Sequence, residues 1–191
     1  YRLHSTVFLW CTPLARKPGE KGEPAWVNDP SYLKRIGAVI PCHQSAAEIG
    51  ETITSIMRYL PPENIVVVDN ANSETPLDDT EAVVRAIHPA VQYVYVSKGL
   101  KSLALWTGLN KLPQHVGYVM HMDDDTKLTD DMVFDESWFL RNPSISEVTY
   151  PVFTRRVNLL TDATGLIFKH NAHLSRFHNA TSGTSLWAPG S

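Results

Sequence analysis

Two uninterrupted runs of apolar residues constrain the fold of this chain more than any other feature. They are IGAVIP at residues 36–41 and IVVV at residues 65–68. Apolar runs without alternating polar residues are typical of strands that are buried on both faces. We predict that Pro41 ends the first strand. Because parallel strands need a crossover connection, a helix is expected between the two runs.

The residues between the two runs have a helical pattern. Ser45 and Glu48 have the spacing of a capping box, which predicts a helix beginning at Ser45. Apolar residues then recur at helical spacing as far as Leu60, and the prolines at 61–62 predict the end of the helix.

The same alternation of strand and helix continues along the chain. The patterns predict helices over residues 77–87 and 101–112, and strands over residues 91–96 and 116–122. The order β-α-β-α-β-α-β requires right-handed crossovers between parallel strands. The sequence therefore predicts an α/β fold with a mostly parallel, Rossmann-like sheet flanked by helices.

Two regions outside this alternation have weaker patterns. Residues 1–34 are dense in proline, glycine and charge, and we interpret them as a lead-in or linker before a domain at residues 35–191. Within that domain, a further strand is predicted at residues 147–153 and an irregular helix within residues 156–177.

Composition excludes several classes of protein. Lys and Arg number 17 and Asp and Glu number 20, so the net charge of −3 does not indicate a nucleic-acid surface. Cys11 and Cys42 are too few for a disulfide framework, which favours a reducing compartment. No apolar run approaches the roughly 20 residues of a transmembrane helix.

An acidic triplet follows the last of the predicted strands. The sequence VGYVMHM leads directly into Asp123, Asp124 and Asp125. In a parallel α/β sheet the ligand crevice lies beyond the carboxyl ends of the strands, where carboxylates can hold a hard divalent cation against a phosphate-bearing ligand. A solvated turn is the ordinary alternative for an acidic run.

Other polar residues occupy equivalent places, after a strand or at the start of a helix. Each has an ordinary structural alternative: a turn histidine, an Asx turn, or a solvated lysine. A lysine in the first turn of a helix is slightly disfavoured by the helix dipole, which favours an anionic partner. The residues expected to converge on one crevice, besides the triplet, are Pro41, Cys42, His43, Asp69, Asn70 and Lys101.

Together these motifs resemble a known family. VIPCH, VVVDNANS, KGLKSLALWTGLN and MDDDTKL, in this order, are similar to the nucleotide-sugar half of the processive inverting glycosyltransferases of family 2, which have a GT-A fold. Chitin, cellulose and hyaluronan synthases belong to that family. The four motifs look most similar to those of fungal polysaccharide synthases of the hyaluronan-synthase-like kind. The resemblance covers residues 36–190.

The resemblance implies roles for the residues at the nucleoside end of a UDP-sugar. Pro41, Cys42 and His43 would border the uracil pocket, and Asp69 would hydrogen-bond the uracil or the ribose. Asn70 stands where the family often has a second aspartate.

At the diphosphate end the resemblance is looser. Lys101 would face the diphosphate, although Leu100 and Trp106 replace the glycine and asparagine of the family's pattern. Asp123 and Asp125 would hold Mg²⁺ or Mn²⁺ on the diphosphate, with Asp124 pointing elsewhere.

The resemblance also implies an expected reaction and location. A sugar would be transferred with inversion to a growing polysaccharide, by a membrane protein whose donor site faces the cytosol. The SGTSLW sequence at residues 182–187 is similar to the loop before the acceptor site. The general base and the acceptor motif are expected after Ser191, so we interpret the chain as a truncated synthase that lacks its catalytic base and its membrane segments. The sequon at Asn179 is expected to be unused.

Three rival classes lack their motifs. No G-x-G-x-x-G follows the first strand, as a nicotinamide-binding domain would require. Lys127 stands where a D-x-D-x-T phosphatase would need threonine, and Leu128 where an EF-hand loop would need glycine. The remaining alternative is a nucleotide-sugar-binding pseudoenzyme, or a structural α/β domain whose acidic triplet is only a turn.

Overall fold

The structure is a computed structural model that describes residues 28–141. The strand, helix and loop expected at residues 147–153, 156–177 and 182–187 lie outside these residues and stay predictions. The helices are α1 (Pro30–Leu33), α2 (Ile49–Ile56), α3 (Thr80–Ile87), α4 (Lys101–Leu109) and α5 (Ser137–Arg141), with a 3₁₀ turn at Pro62–Asn64. The strands are β1 (Ile36–Cys42), β2 (Ile65–Asp69), β3 (Gln92–Tyr95) and β4 (Tyr118–His121).

The described strands form one parallel sheet in the order β3-β2-β1-β4. Cys42 at the end of β1 is opposite Asp69 at the end of β2, and Asp69 is opposite Tyr95 at the end of β3. The predicted Rossmann-like α/β fold class is confirmed.

Both faces of the central strands are buried, as the uninterrupted apolar runs predicted. On one face Ile40 and Val67 belong to a cluster that includes Ile53 of α2 and Val84 of α3. On the other face Val39, Val66 and Val68 pack with Ala104 of α4. Because each of these strand residues is 0% exposed, the sheet is the middle of three layers.

Pro41 lies within β1, so the prediction that it ends the strand is wrong by one residue. A proline in a central strand is unusual, because it cannot donate a hydrogen bond to a neighbouring strand. Pairing between β1 and β4 stops at Val39 and His121, after which the Met122 N–H donates to the Val39 carbonyl at 3.3 Å. The nitrogen of Pro41 faces this same side, beyond the last residue pair that β1 and β4 form. The two strands therefore diverge at their carboxyl ends.

Helix α3 ends at Ile87 and helix α4 begins at Lys101, as predicted. The other helix boundaries differ from those predicted, and side chains near several of them form hydrogen bonds that the periodicity does not reveal. Helix α2 starts at Ile49 rather than at Ser45, and no side chain caps its N-terminus. Helix α3 starts at Thr80, whose N–H donates to the Asp78 carboxylate at 3.1 Å. Helix α4 ends at Leu109, after which the Asn110 side chain donates to the Trp106 carbonyl at 2.7 Å.

Gly108 permits helix α4 to lie directly against the sheet. A Cβ atom at this position would overlap the Val39 side chain and would also lie 3.2 Å from a methyl group of Val68. By contrast, a Cβ atom on Gly50 of α2 would make ordinary contacts of 3.7 Å with Ile87 and 3.8 Å with Val83.

The two glycines should respond to alanine in opposite directions. Gly108→Ala is expected to lower the free energy of unfolding by about 1–3 kcal/mol, because it overpacks the interface with β1 and β2. Gly50→Ala is expected to raise it by roughly 0.5–1 kcal/mol, through the better helix propensity of alanine. Guanidinium unfolding of the full chain measures both. Stabilisation by Gly108→Ala would contradict the close approach of α4.

Candidate functional site

The candidate site lies at the carboxyl edge of the sheet, where β1 and β4 diverge. Strands β2 and β3 lie on one side of β1, whereas β4 lies on the other side, so the order in which strands are added reverses between β1 and β4. In open α/β sheets, ligands bind in the crevice at such a reversal. The parallel register places Cys42 and Asp69 side by side at this edge. The backbone N–H of Asn70, the residue after β2, donates to the Cys42 carbonyl at 2.9 Å and so extends the pairing of the two strand ends.

Asp69 is a buried carboxylate with one unpaired oxygen. Asp69 is the last residue of β2 and is 1% exposed. Oδ2 accepts a hydrogen bond from the Tyr93 hydroxyl at 2.8 Å, whereas no group among residues 28–141 donates to Oδ1. Burial raises the pKa of Asp69 above its ordinary value, and the Tyr93 hydrogen bond opposes this shift. A buried acceptor without a donor is costly, so Asp69 suits a ligand that brings an N–H or O–H group.

Cys42 and His43 lie beside this carboxylate. Burial, together with the nearby charges of Asp69 and Asp124, raises the pKa of the Cys42 thiol well above its ordinary range. The thiol is therefore protonated at neutral pH and does not act as a nucleophile. His43 is exposed and lies near Asp69 and Asp78, where a positive charge lowers the pKa of both carboxyl groups.

Asp78 is a site residue that the sequence reasoning missed. One oxygen accepts the Ala46 N–H at 2.9 Å, and the other accepts the Thr80 hydroxyl at 2.6 Å. Burial acts to raise the pKa of Asp78, but these hydrogen bonds outweigh it and lower the pKa. Asp78 thus fixes the loop that follows β1 onto the loop that follows β2. The spacing of Asp78 and Thr80 at the start of a helical pattern was the available signal.

Lys101 and Asp123 meet at the other side of the crevice. The Lys101 Nζ atom lies 2.8 Å from the Asp123 Oδ1 atom, and the two side chains are 45% and 43% exposed. A pair this exposed contributes at most about 1 kcal/mol to stability. Replacement of this contact by a ligand would therefore cost little folding free energy.

The acidic triplet divides into residues with different surroundings. Asp125 is exposed, and Asp123 contacts Lys101. Asp124 instead contacts the loop after β1, where the Ser45 hydroxyl donates to its Oδ2 atom, and helix α2, where the Thr52 hydroxyl donates to its carbonyl at 2.6 Å.

The chain after the triplet is held along the same helix. The Leu128 N–H donates to the Ser55 hydroxyl at 3.0 Å, and the Tyr59 hydroxyl donates to the Thr129 carbonyl at 2.7 Å. Thr52 and Ser55 are buried polar residues that the sequence reasoning did not assign. The sequence feature that could have identified them is a pair of hydroxyl residues, three positions apart, next to the apolar positions of the helix.

The donor set at the triplet fits a divalent cation that binds together with a phosphate ligand. Within the part of the chain that the structure describes, no group of three or more His, Cys, Asp or Glu side chains could hold a metal ion alone. Mg²⁺ is commonly bound through one or two carboxylates plus substrate phosphates. Asp123 and Asp125 supply two hard oxygen donors at accessible positions, and a diphosphate would supply the others.

The predicted site residues fall into two groups. Pro41, which is buried in β1, lies with Cys42, His43, Asp69 and Asn70 at the ends of β1 and β2. Lys101 and Asp123 are in direct contact, with Asp125 close in sequence. Among the described residues, this edge of the sheet thus carries an unpaired carboxylate oxygen at the end of β2, and an ion pair between the start of α4 and the residues after β4.

A parallel α/β sheet with polar groups at a reversal of strand order is typical of domains that bind ligands beyond the carboxyl ends of their strands. The model of the glycosyl transferase family 2 matches residues 38–135, slightly more than half of the chain. The chain belongs to this family, so it is a glycosyltransferase that uses a nucleotide-sugar donor and an acceptor. No curated protein matches the chain significantly.

The raised pKa of Asp69 predicts a pH-dependent stability. Since the folded state holds the Asp69 proton more tightly than the unfolded state, stability falls as pH rises from the ordinary pKa of 3.8 through the raised one. Asp69→Asn removes this titration, so its stabilising effect should be larger at pH 7 than at pH 4. Guanidinium unfolding at both pH values measures the difference. Asp131→Asn, at an exposed position, serves as the control, and equal effects of Asp69→Asn at both pH values would contradict the assignment.

Proposed function

We propose that this glycosyltransferase binds a UDP-sugar together with Mg²⁺ or Mn²⁺ and transfers the sugar, with inversion, to a growing polysaccharide. The observation that carries the proposal is the buried Asp69 carboxylate with its unpaired Oδ1 atom at the ligand-binding edge of the sheet. Uracil presents one imide N–H between two carbonyl groups, which matches a single free acceptor.

The Tyr93 hydrogen bond favours uracil over guanine and adenine. Because Tyr93 occupies Oδ2, only one oxygen of Asp69 is available to a ligand. Guanine presents two adjacent donors and would use both oxygens, whereas adenine places a ring nitrogen acceptor against the carboxylate. Pro41 and Cys42, both buried, border the base, and His43 lies at the exposed rim.

Lys101, Asp123 and Asp125 act at the diphosphate. Departure of UDP leaves negative charge on the phosphate oxygens, and the Lys101 ammonium group stabilises that charge as it develops. Lys101 already lies 2.8 Å from Asp123, so a short movement of its side chain reaches a diphosphate held there. A divalent cation held by Asp123 and Asp125 would supply further electrostatic stabilisation of the leaving group.

The transfer forms one bond and breaks one. An acceptor hydroxyl attacks the anomeric carbon on the face opposite the diphosphate, and the bond to the phosphate oxygen breaks with its electron pair on UDP. The hydroxyl proton passes to a general base, and inversion at the anomeric carbon results. We assign the base outside the described residues.

The proposed location is a membrane, with this domain on the cytosolic side where UDP-sugars are available. Membrane attachment would come from segments other than those described. Between residues 28 and 141, no helix has the length and apolar character needed to cross a bilayer.

Base discrimination tests the proposed donor. The wild-type chain should bind UDP at least about tenfold more tightly than ADP or GDP, because a buried polar group left unpaired discriminates strongly. Asp69→Ala should reduce UDP affinity to that of ADP, as measured by isothermal titration calorimetry in Mn²⁺.

Asp79→Ala is the matched control, since Asp79 is an exposed aspartate of the loop that follows β2. This variant should keep the wild-type preference. Equal affinity of the wild type for UDP, ADP and GDP would contradict the assignment of Asp69.

A further inference from the structure

Ser45 joins three segments at the carboxyl edge of the sheet. Its backbone N–H donates to the Thr80 hydroxyl at 3.2 Å, at the start of α3. Its own hydroxyl accepts the His43 N–H at 3.1 Å and donates to the Asp124 carboxylate. Ser45 is 2% exposed, so these contacts are shielded from water. The loops that follow β1 and β4 therefore share one buried hydroxyl.

Asp124 is held at both its side chain and its backbone. Ser45 contacts the carboxylate, and the Thr52 hydroxyl donates to the carbonyl at 2.6 Å. Thr52 is 0% exposed and lies on α2, whose apolar side chains belong to the core. These two contacts hold the backbone at Asp124. They therefore fix the direction in which the neighbouring side chains, those of Asp123 and Asp125, project.

The nucleoside side of the proposed site is attached to the same loop, the one that follows β1 and contains Ser45. Asp78 accepts the Ala46 N–H at 2.9 Å, and so holds the loop after β1 next to the end of β2. The contact between Ser45 and Asp124 thus connects the acidic triplet to the loop that Asp78 holds next to the end of β2.

We propose that Ser45 and Asp124 are positioning residues that set the spacing between the nucleoside pocket and the metal-binding carboxylates. The inference rests on the proposed function, because it concerns a ligand that carries a base and a diphosphate. The two ends of such a ligand are covalently joined, so their binding energies add only when the two subsites have the matching separation. Asp124 supports the metal site from behind and does not bind the ion.

The test separates a positioning role from a ligand role at Asp124. The amide of Asp124→Asn can still accept the Ser45 hydrogen bond, but it is a weaker ligand for a hard cation. Asp124→Ala loses both abilities, whereas Ser45→Ala keeps the carboxylate but removes its hydrogen bond, together with the one that the Ser45 hydroxyl accepts from the His43 N–H. Calorimetry gives the affinity of each variant for UDP in Mn²⁺ and in chelator, and their ratio is the metal enhancement. Affinity for uridine, which has no phosphate, reports the nucleoside pocket alone.

The expected pattern is specific. Asp124→Asn should keep the metal enhancement of the wild type within about twofold, whereas Asp124→Ala and Ser45→Ala should lower it by about 10–100-fold, as is typical for groups that orient metal ligands. Uridine affinity should stay within about twofold in all three variants. If Ser45→Ala does not fold, the comparison of Asp124→Asn with Asp124→Ala still decides the question.

Several results would overturn the inference. Asp125→Ala removes a proposed metal ligand and serves as the reference. If Asp124→Asn loses as much metal enhancement as Asp125→Ala, Asp124 is a metal ligand. A full enhancement in Asp124→Ala would leave Asp124 without a role, and a loss of uridine binding in Ser45→Ala would show a general structural effect. If the wild type binds no UDP, or binds it equally in chelator, the proposed function itself fails first.

Discussion

The parallel pairing of β1 with both β2 and β4 is the constraint on which the rest of the structure depends. Parallel pairing brings the carboxyl ends of the strands to one edge, and it needs helices on both faces to make the crossovers. Pairing of β1 with β2 continues to Cys42, whereas pairing with β4 stops at Val39. Pro41 is compatible with this arrangement because its nitrogen faces β4 beyond the last residue pair of the two strands. The crevice thus follows from the unequal lengths of the two pairings.

Strands and fold class were predictable because they depend on a local property, namely uninterrupted apolar residues buried on both faces. Helix starts were less predictable, because side chains near them bond to distant groups. Ser45 has the spacing of a capping residue, yet its hydroxyl contacts Asp124, which is 79 positions away in sequence. A pattern of neighbouring residues carries no information about such a contact.

The same distinction applies to the candidate site. Asp69, Lys101 and Asp123 could be selected because each follows a strand or begins a helix, and topology alone brings such positions to one edge. Tyr93 was missed because its role depends on a hydrogen bond to Asp69, 24 residues away. The supporting groups of a site are therefore harder to predict than the groups that meet the ligand.

The energetics of the edge residues fit binding better than stability. Asp69 is buried with an unpaired oxygen and a raised pKa, which disfavours its ionised form. Lys101 and Asp123 form an exposed ion pair, which adds little to the free energy of unfolding. Neither arrangement is the most stable choice at its position, as is common for residues that act on a ligand.

A crystal structure of the chain with UDP and Mn²⁺ tests the central claim most directly, because anomalous scattering locates the ion. The account predicts an ion about 2.1 Å from oxygens of Asp123 and Asp125 and bound to the diphosphate. It also predicts the uracil N3 atom about 2.9 Å from the Asp69 Oδ1 atom. A nucleotide bound elsewhere, or a uracil that does not contact Asp69, would contradict it.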